Sequence, residues 1–71
     1  MKLYRANATI HDQDVQWLEI EYDPDDTGGY FVYYHVNENL AYDTWHEKLN
    51  DALDCGEQYG INVEDWEPIV E

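Results

Sequence analysis

Apolar and polar side chains alternate along the first half of the chain in the way that half-buried β-strands require. Residues 3–10 and 15–22 alternate with a period of two, and residues 30–36 are aromatic or β-branched almost throughout. Polar residues 11–14 separate the first two segments, and a cluster of Pro, Asp, Thr and Gly at 23–29 separates the second from the third. The pattern predicts a three-stranded antiparallel meander with strands at about 3–10, 15–22 and 30–36.

From residue 44 the apolar spacing changes to that of an α-helix. Thr44 and Glu47 have the spacing of a capping box, and Gly60 stands where a left-handed residue commonly ends a helix. The pattern predicts a helix over 44–59, followed by an extended tail over 61–71. The apolar arc of this helix is formed by Trp45, Leu49, Ala52, Leu53, Gly56 and Tyr59.

Together these elements predict an α+β fold in the order β-β-β-α, with the amphipathic helix packed across one face of the sheet. We expect Ala6 and Ala8 to leave the space that the helix occupies. Because 71 residues lie near the lower limit for a single hydrophobic core, we expect the chain 1–71 to be one domain.

The charge of the chain excludes several classes of partner. Lys and Arg together number 3 and Asp and Glu together number 17, which gives a formal net charge of -14. Phosphates of nucleic acid and anionic membranes should therefore repel the protein. The single Cys55 cannot form an intramolecular disulfide, which favours a reducing compartment. The N-terminus has no apolar run typical of a signal peptide, and we expect a cytoplasmic protein.

The outer face of the predicted helix carries a row of acidic side chains, Glu47, Asp51, Asp54 and Glu57. Like charges at this spacing destabilise a helix by roughly 0.2 to 0.5 kcal/mol per pair. Such a cost favours the hypothesis that the negative surface has a use, which is to dock on a basic protein with fast, steered association. The alternatives are that the charge serves solubility or adaptation to a salt-rich habitat.

A second candidate surface is the sheet face opposite the helix. The predicted alternation places four aromatic rings there, Trp17, Phe31, Tyr33 and His35. So much ring area favours a binding patch, with Trp17 and Tyr33 as anchors and with Glu19 and Glu21 at the rim. The alternative is that the tail folds back over this face, covering it with Trp66, Ile69 and Val70.

Motifs for catalysis or metal binding are weak. Asp23, Asp25 and Thr27 match the start of a calcium loop, but the twelfth position is Tyr34 instead of a bidentate carboxylate. The His residues and Cys55 lack zinc-ligand spacing, and no nucleophile elbow or phosphate-binding glycine loop occurs. We therefore expect no enzymatic activity, no metal and no cofactor.

The favoured hypothesis is a non-catalytic acidic protein that docks on the basic surface of a nucleic-acid-handling protein. Nuclease inhibitors, immunity proteins, anti-restriction and anti-CRISPR proteins and DNA mimics share this physical character. The residues expected to bind the partner are Glu47, Asp51, Asp54, Glu57, Glu19, Glu21, Trp17 and Tyr33. One alternative is an accessory domain that forms a homodimer through the aromatic sheet face, and another is a weak divalent-cation binder.

Overall fold

The chain folds into a five-stranded antiparallel sheet with one α-helix against one of its faces, a small α+β architecture. A computed structural model describes residues 1–70. The strands are β1 (Lys2–Asn7), β2 (Trp17–Asp23), β3 (Gly29–Asn37), β4 (Leu40–His46) and β5 (Glu67–Pro68), and the helix is α1 (Leu49–Asp54). Single 3-10 turns occupy Asp12–Asp14, Glu57–Tyr59 and Val63–Asp65. The strand order is β4-β3-β2-β1-β5.

The predicted meander is present as β1, β2 and β3, with the second and third strands close to their expected positions. Alternation puts Leu18, Ile20 and Val32 on one face, where each is completely buried. The first strand is shorter than predicted, because the chain leaves the sheet after Asn7. The amides of Thr9 and Ile10 then donate to the carbonyl of Tyr59 instead of a neighbouring strand, and Ile10 is exposed.

The prediction of a helix over 44–59 is wrong in its first turn and in its length. Residues 40–46 form β4, which pairs with β3 along its length, so Thr44 is a strand residue and caps no helix. A tight turn starts this strand, because the side chain of Asn37 accepts hydrogen bonds from the amides of Asn39 and Leu40 at 2.8 and 3.0 Å. Trp45, which was expected in the core, is therefore largely exposed on the edge strand.

The helix that does form is short, and it lies mainly against β3 and β4. Ala52 of α1 is fully buried in the same core cluster as Ala6 and Ala8, which belong to the β1 side of the sheet. Gly60 has the expected left-handed conformation, with φ of +73°, but it ends the 3-10 turn rather than a continuous helix. Over residues 1–70 the structure has no helix with the length and apolar character needed to cross a membrane.

The tail completes the core instead of covering the opposite face. Trp66 belongs to the same buried cluster as Ile61, Tyr59 and Ala52 on the helix side. The expectation that Trp66 covers the aromatic face is therefore wrong. After Trp66, the chain forms β5 beside β1, and Val70 remains exposed.

Candidate functional site

The strand register defines an open face of the sheet on the side away from α1. Residues paired across antiparallel strands lie on the same face, and Trp17 pairs with His35, Glu19 with Tyr33, and Glu21 with Phe31. The register of β4 adds Asp43 and Trp45 to this face, although Trp45 was predicted to lie in the apolar arc of the helix. Neither α1 nor Trp66 covers the open face, since both pack on the opposite side.

The aromatic side chains of the open face form a row along β3. The rings of Trp17 and His35 are stacked, with centroids 4.6 Å apart and planes inclined by 4°. The centroids of Phe31 and Tyr33 are 6.0 Å apart, and those of Tyr33 and His35 are 6.5 Å apart. This row of half-buried rings has the aromatic character of residues that anchor protein interfaces.

On the β1 side of the open face, the acidic and basic groups pair with one another. Glu19 accepts a hydrogen bond from Trp17 Nε1 at 3.1 Å and lies 3.9 Å from the ammonium group of Lys2. The guanidinium of Arg5 stands 5.5 Å from the centre of the Trp17 ring. Because Glu19, Lys2 and Arg5 already have partners, this half of the face is close to electrostatic balance.

On the β4 side, two carboxylates lie among aromatic rings. Glu21 is 3.6 Å from the N-terminal ammonium of Met1, whereas Asp43, paired with Tyr33 across the strands, forms no ion pair within residues 1–70. We call this half, formed by Glu21, Phe31, Tyr33, Asp43 and Trp45, the acidic aromatic face. Burial of the ring, followed by the negative charges of Glu21 and Asp43, raises the pKa of Tyr33 above its usual value of 10.0. The carboxylate of Asp43 therefore remains available to a cationic partner, while the N-terminal ammonium partly balances Glu21.

The loop between β2 and β3 fixes one end of the acidic aromatic face. Asp23 accepts hydrogen bonds from the amide and the hydroxyl of Thr27 at 3.3 and 3.1 Å, and Thr27 Oγ1 accepts one from Trp45 Nε1 at 2.8 Å. Gly29 is required here, because a Cβ at this position would collide with the Trp45 ring. The same loop borders a cleft of about 470 Å³ whose carboxylates include Glu21 and Asp23.

The residues predicted to bind a partner thus separate into two groups. Trp17, Tyr33, Glu19 and Glu21 lie together on the open face. The other four are exposed but lie beyond the end of β4 and along the segment that contains α1. They are Glu47, Asp51, Asp54 and Glu57.

This second group does not form the predicted row on one helix. Only Asp51 and Asp54 belong to α1, while Glu47 precedes the helix and Glu57 lies in a 3-10 turn. The helix side and the open face are opposite sides of one sheet, so a single flat partner surface cannot contact both groups.

Sequence reasoning placed Phe31 on the open face but missed Asp43 and Trp45 as members of the same surface. The signal was present in residues 40–46, where Tyr42, Thr44 and His46 alternate with Ala41, Asp43 and Trp45. That alternation has the period of a strand, but the capping-box spacing of Thr44 and Glu47 favoured a helix over the same residues.

A polar cluster lies on the helix side, between β4 and the end of α1. Tyr34 Oη and Thr44 Oγ1 are 2.7 Å apart, and Thr44 Oγ1 is 2.7 Å from His46 Nε2. Cys55 Sγ is 3.3 Å from His46 Nε2 and 3.3 Å from the carbonyl of Asp51, its hydrogen-bond acceptor. The sequence offered no indication that these groups meet, because they come from two strands and the helix end.

Replacing Tyr34 with Phe tests the energetic role of this cluster. Burial raises the pKa of Tyr34 above 10.0, so the unfolded chain releases this proton at lower pH than the folded protein. The titration of Tyr34 therefore leaves the free energy of unfolding unchanged below about pH 10, and above that pH it lowers the free energy of unfolding by about 1.4 kcal/mol per pH unit.

We expect Tyr34→Phe to lose about 1 kcal/mol of stability at pH 7, because the hydrogen bond between Tyr34 and Thr44 is lost while Thr44 keeps His46 as a partner. Above pH 10, the free energy of unfolding should fall less steeply with pH in the variant, because one fewer proton is released on unfolding. Urea unfolding at a series of pH values measures both effects. Tyr42→Phe, at an exposed ring, is the matched control. An unchanged alkaline slope in Tyr34→Phe would contradict the prediction.

No three His, Cys, Asp or Glu side chains within residues 1–70 are arranged as a metal-binding group. In the segment that matches the start of a calcium loop, Asp23 accepts hydrogen bonds from Thr27, as described above. Comparison of the chain with family models, with curated proteins and with solved structures finds no match.

Proposed function

We propose that this protein is a non-catalytic binding protein that docks on the basic surface of a nucleic-acid-handling protein and blocks it. The observation that carries the proposal is the acidic aromatic face, where the exposed carboxylate of Asp43 lies beside half-buried Tyr33 and exposed Trp45 and has no ion-pair partner within residues 1–70. Glu21 adds a second carboxylate, which the N-terminal ammonium at 3.6 Å partly balances. A surface of this kind attracts arginine and lysine side chains, which pair with carboxylates and stack on aromatic rings.

The net charge of the whole chain supports the same proposal. At -14, the molecule attracts a basic partner over distances longer than any single contact, and this attraction raises the association rate. A second copy of the chain carries the same charge and is repelled. Homodimer formation through the open face is therefore the less favoured proposal, and it predicts a mass that rises with protein concentration.

Capture from a cell lysate at low salt, repeated at about 0.5 M salt where the Debye length shrinks to a few ångströms, provides the first test. A basic nucleic-acid-binding protein should be retained at low salt and released at high salt, and its activity on nucleic acid should fall when this protein is added. The proposal would be contradicted if the captured protein were retained equally at low and high salt, or if its activity on nucleic acid were the same with and without this protein.

Two double variants identify the face that docks. Glu21→Gln with Asp43→Asn removes two charges from the acidic aromatic face, and Asp51→Asn with Asp54→Asn removes two from α1. Both change the net charge equally, so any difference between them reports the contact surface. We expect the first pair to weaken binding about tenfold or more, and the second about twofold or less. Equal losses would assign the binding to overall charge instead of this face.

A further inference from the structure

The two edges of the sheet are finished in different ways. Beside β1, the tail adds β5, which is only two residues long and includes Pro68. The amide of Ile69 then donates to the carbonyl of Leu3 at 2.9 Å. This edge is therefore short, partly covered and blocked by a proline, as edges in natural sheets usually are.

The opposite edge has none of these protections. β4 spans seven residues, Leu40–His46, and contains no Pro, Lys or Arg. Its only irregularity lies at the hairpin end, between His35 and Asn37 of the neighbouring strand. All of its residues except His46 are exposed. Because β4 is the last strand of the sheet, alternate backbone amides and carbonyls along it have no strand to pair with among residues 1–70.

The surfaces on both sides of β4 suit the side chains of an added strand. On the helix side, Tyr42 and Thr44 border a groove of about 310 Å³ that also contacts Gln58 and Tyr59. On the open side, Asp43 and Trp45 of the acidic aromatic face lie at the same edge. An extended segment beside β4 would thus direct alternate side chains into the groove and over the acidic aromatic face.

We propose that β4 pairs with an extended, arginine-bearing segment of the partner protein, which becomes the sixth strand of the sheet. Its arginine side chains lie over Asp43 and Trp45, where a planar guanidinium pairs with the carboxylate and stacks on the indole. The apolar side chains between them enter the groove. The inference rests on the proposed function, because charge complementarity selects a basic segment over a second copy of this acidic chain.

A synthetic seven-residue peptide of alternating arginine and valine is the probe, added to the full-length protein at low salt. The readout is hydrogen exchange of individual backbone amides, followed by NMR. We expect alternate amides of β4 to exchange at least tenfold more slowly with the peptide bound, while the amides near β5 stay unchanged. A peptide with glutamate in place of arginine should not bind.

Backbone pairing is separated from charge attraction by a third peptide, in which alternate amides of the arginine and valine sequence are N-methylated. This peptide keeps the charge but cannot form the backbone hydrogen bonds with β4. We expect it to bind at least tenfold more weakly than the probe. Asp43→Lys should abolish binding of the probe. Asp54→Lys, which makes the same charge change on exposed α1, should weaken it about twofold or less.

The outcomes distinguish this inference from the proposed function. If the N-methylated peptide binds as well as the probe and β4 gains no protection, strand pairing is wrong while docking by charge stands. If the arginine peptide fails to bind at all, the sixth strand is wrong, and the lysate experiment decides the proposed function independently. Protection of β4 that grows with protein concentration in the absence of peptide would identify a second copy as the occupant and overturn the inference.

Discussion

Replacing Trp66 with Ala should lower the free energy of unfolding by about 3 to 5 kcal/mol, the range for a buried aromatic residue. Trp66 is only 7% exposed and packs with Ile61 in the core, although it lies in the C-terminal tail. Gly56 makes room for it, because a Cβ at Gly56 would lie 3.1 Å from the Trp66 ring. Its indole nitrogen has no acceptor within residues 1–70, so the ring's apolar area is what stabilises the fold.

Trp45→Ala is the matched control for this prediction. Trp45 is 45% exposed, so the same substitution removes less buried area and one hydrogen bond to Thr27, and we expect a cost of about 1 to 2 kcal/mol. Urea unfolding followed by far-UV circular dichroism compares the two variants without relying on tryptophan fluorescence. A larger loss at Trp45 than at Trp66 would support the helix expected over 44–59 and contradict the observed core.

Leu18→Ala should have the second large effect, a loss of about 2 to 5 kcal/mol. Leu18 is completely buried in β2, the central strand of the sheet, between β1 and β3. A chain of 71 residues is expected to have a total stability of only about 4 to 10 kcal/mol. The variant should therefore be partly or wholly unfolded at 37 °C, with a clear fall in the urea midpoint.

Leu40→Ala provides the same chemical change on an exposed strand. Leu40 is 44% exposed at the start of β4, and we expect its truncation to cost less than about 1 kcal/mol. Similar losses at Leu18 and Leu40 would mean that β4 is covered in solution, as it would be in a dimer. Repeating the Leu40→Ala measurement at several protein concentrations would reveal such an assembly, because its apparent stability would then depend on concentration.

The first three strands could be predicted because each carries its information locally. Leu18 and Ile20 alternate with Glu19 and Glu21, and a one-residue shift would move the entire apolar set to the wrong face. The left-handed Gly60 was also predictable, since few other residues adopt a positive φ without strain. The period of two fixes which side chains of a strand face the core, and backbone sterics fix which residue can adopt a positive φ.

The fourth strand could not be predicted in the same way, because residues 40–46 suit two structures. Their spacing fits a helix that begins at Thr44, and their alternation fits a strand. The choice depends on β3, whose aromatic residues form a long strand with one side left unpaired unless β4 joins it. Pairing with β4 satisfies the amides and carbonyls on the outer side of β3, which a helix over the same residues would leave unpaired.

The sequence alone determined the acidity of this protein and the two faces of its first three strands. Only the tertiary structure decided which tryptophan is buried, where the helix begins and which carboxylates meet which rings. The reason is distance along the chain: Trp66 packs beside Gly56, and Asp43 approaches Tyr33 only after β4 pairs with β3. Such contacts depend on how whole elements pack, and no local period encodes them.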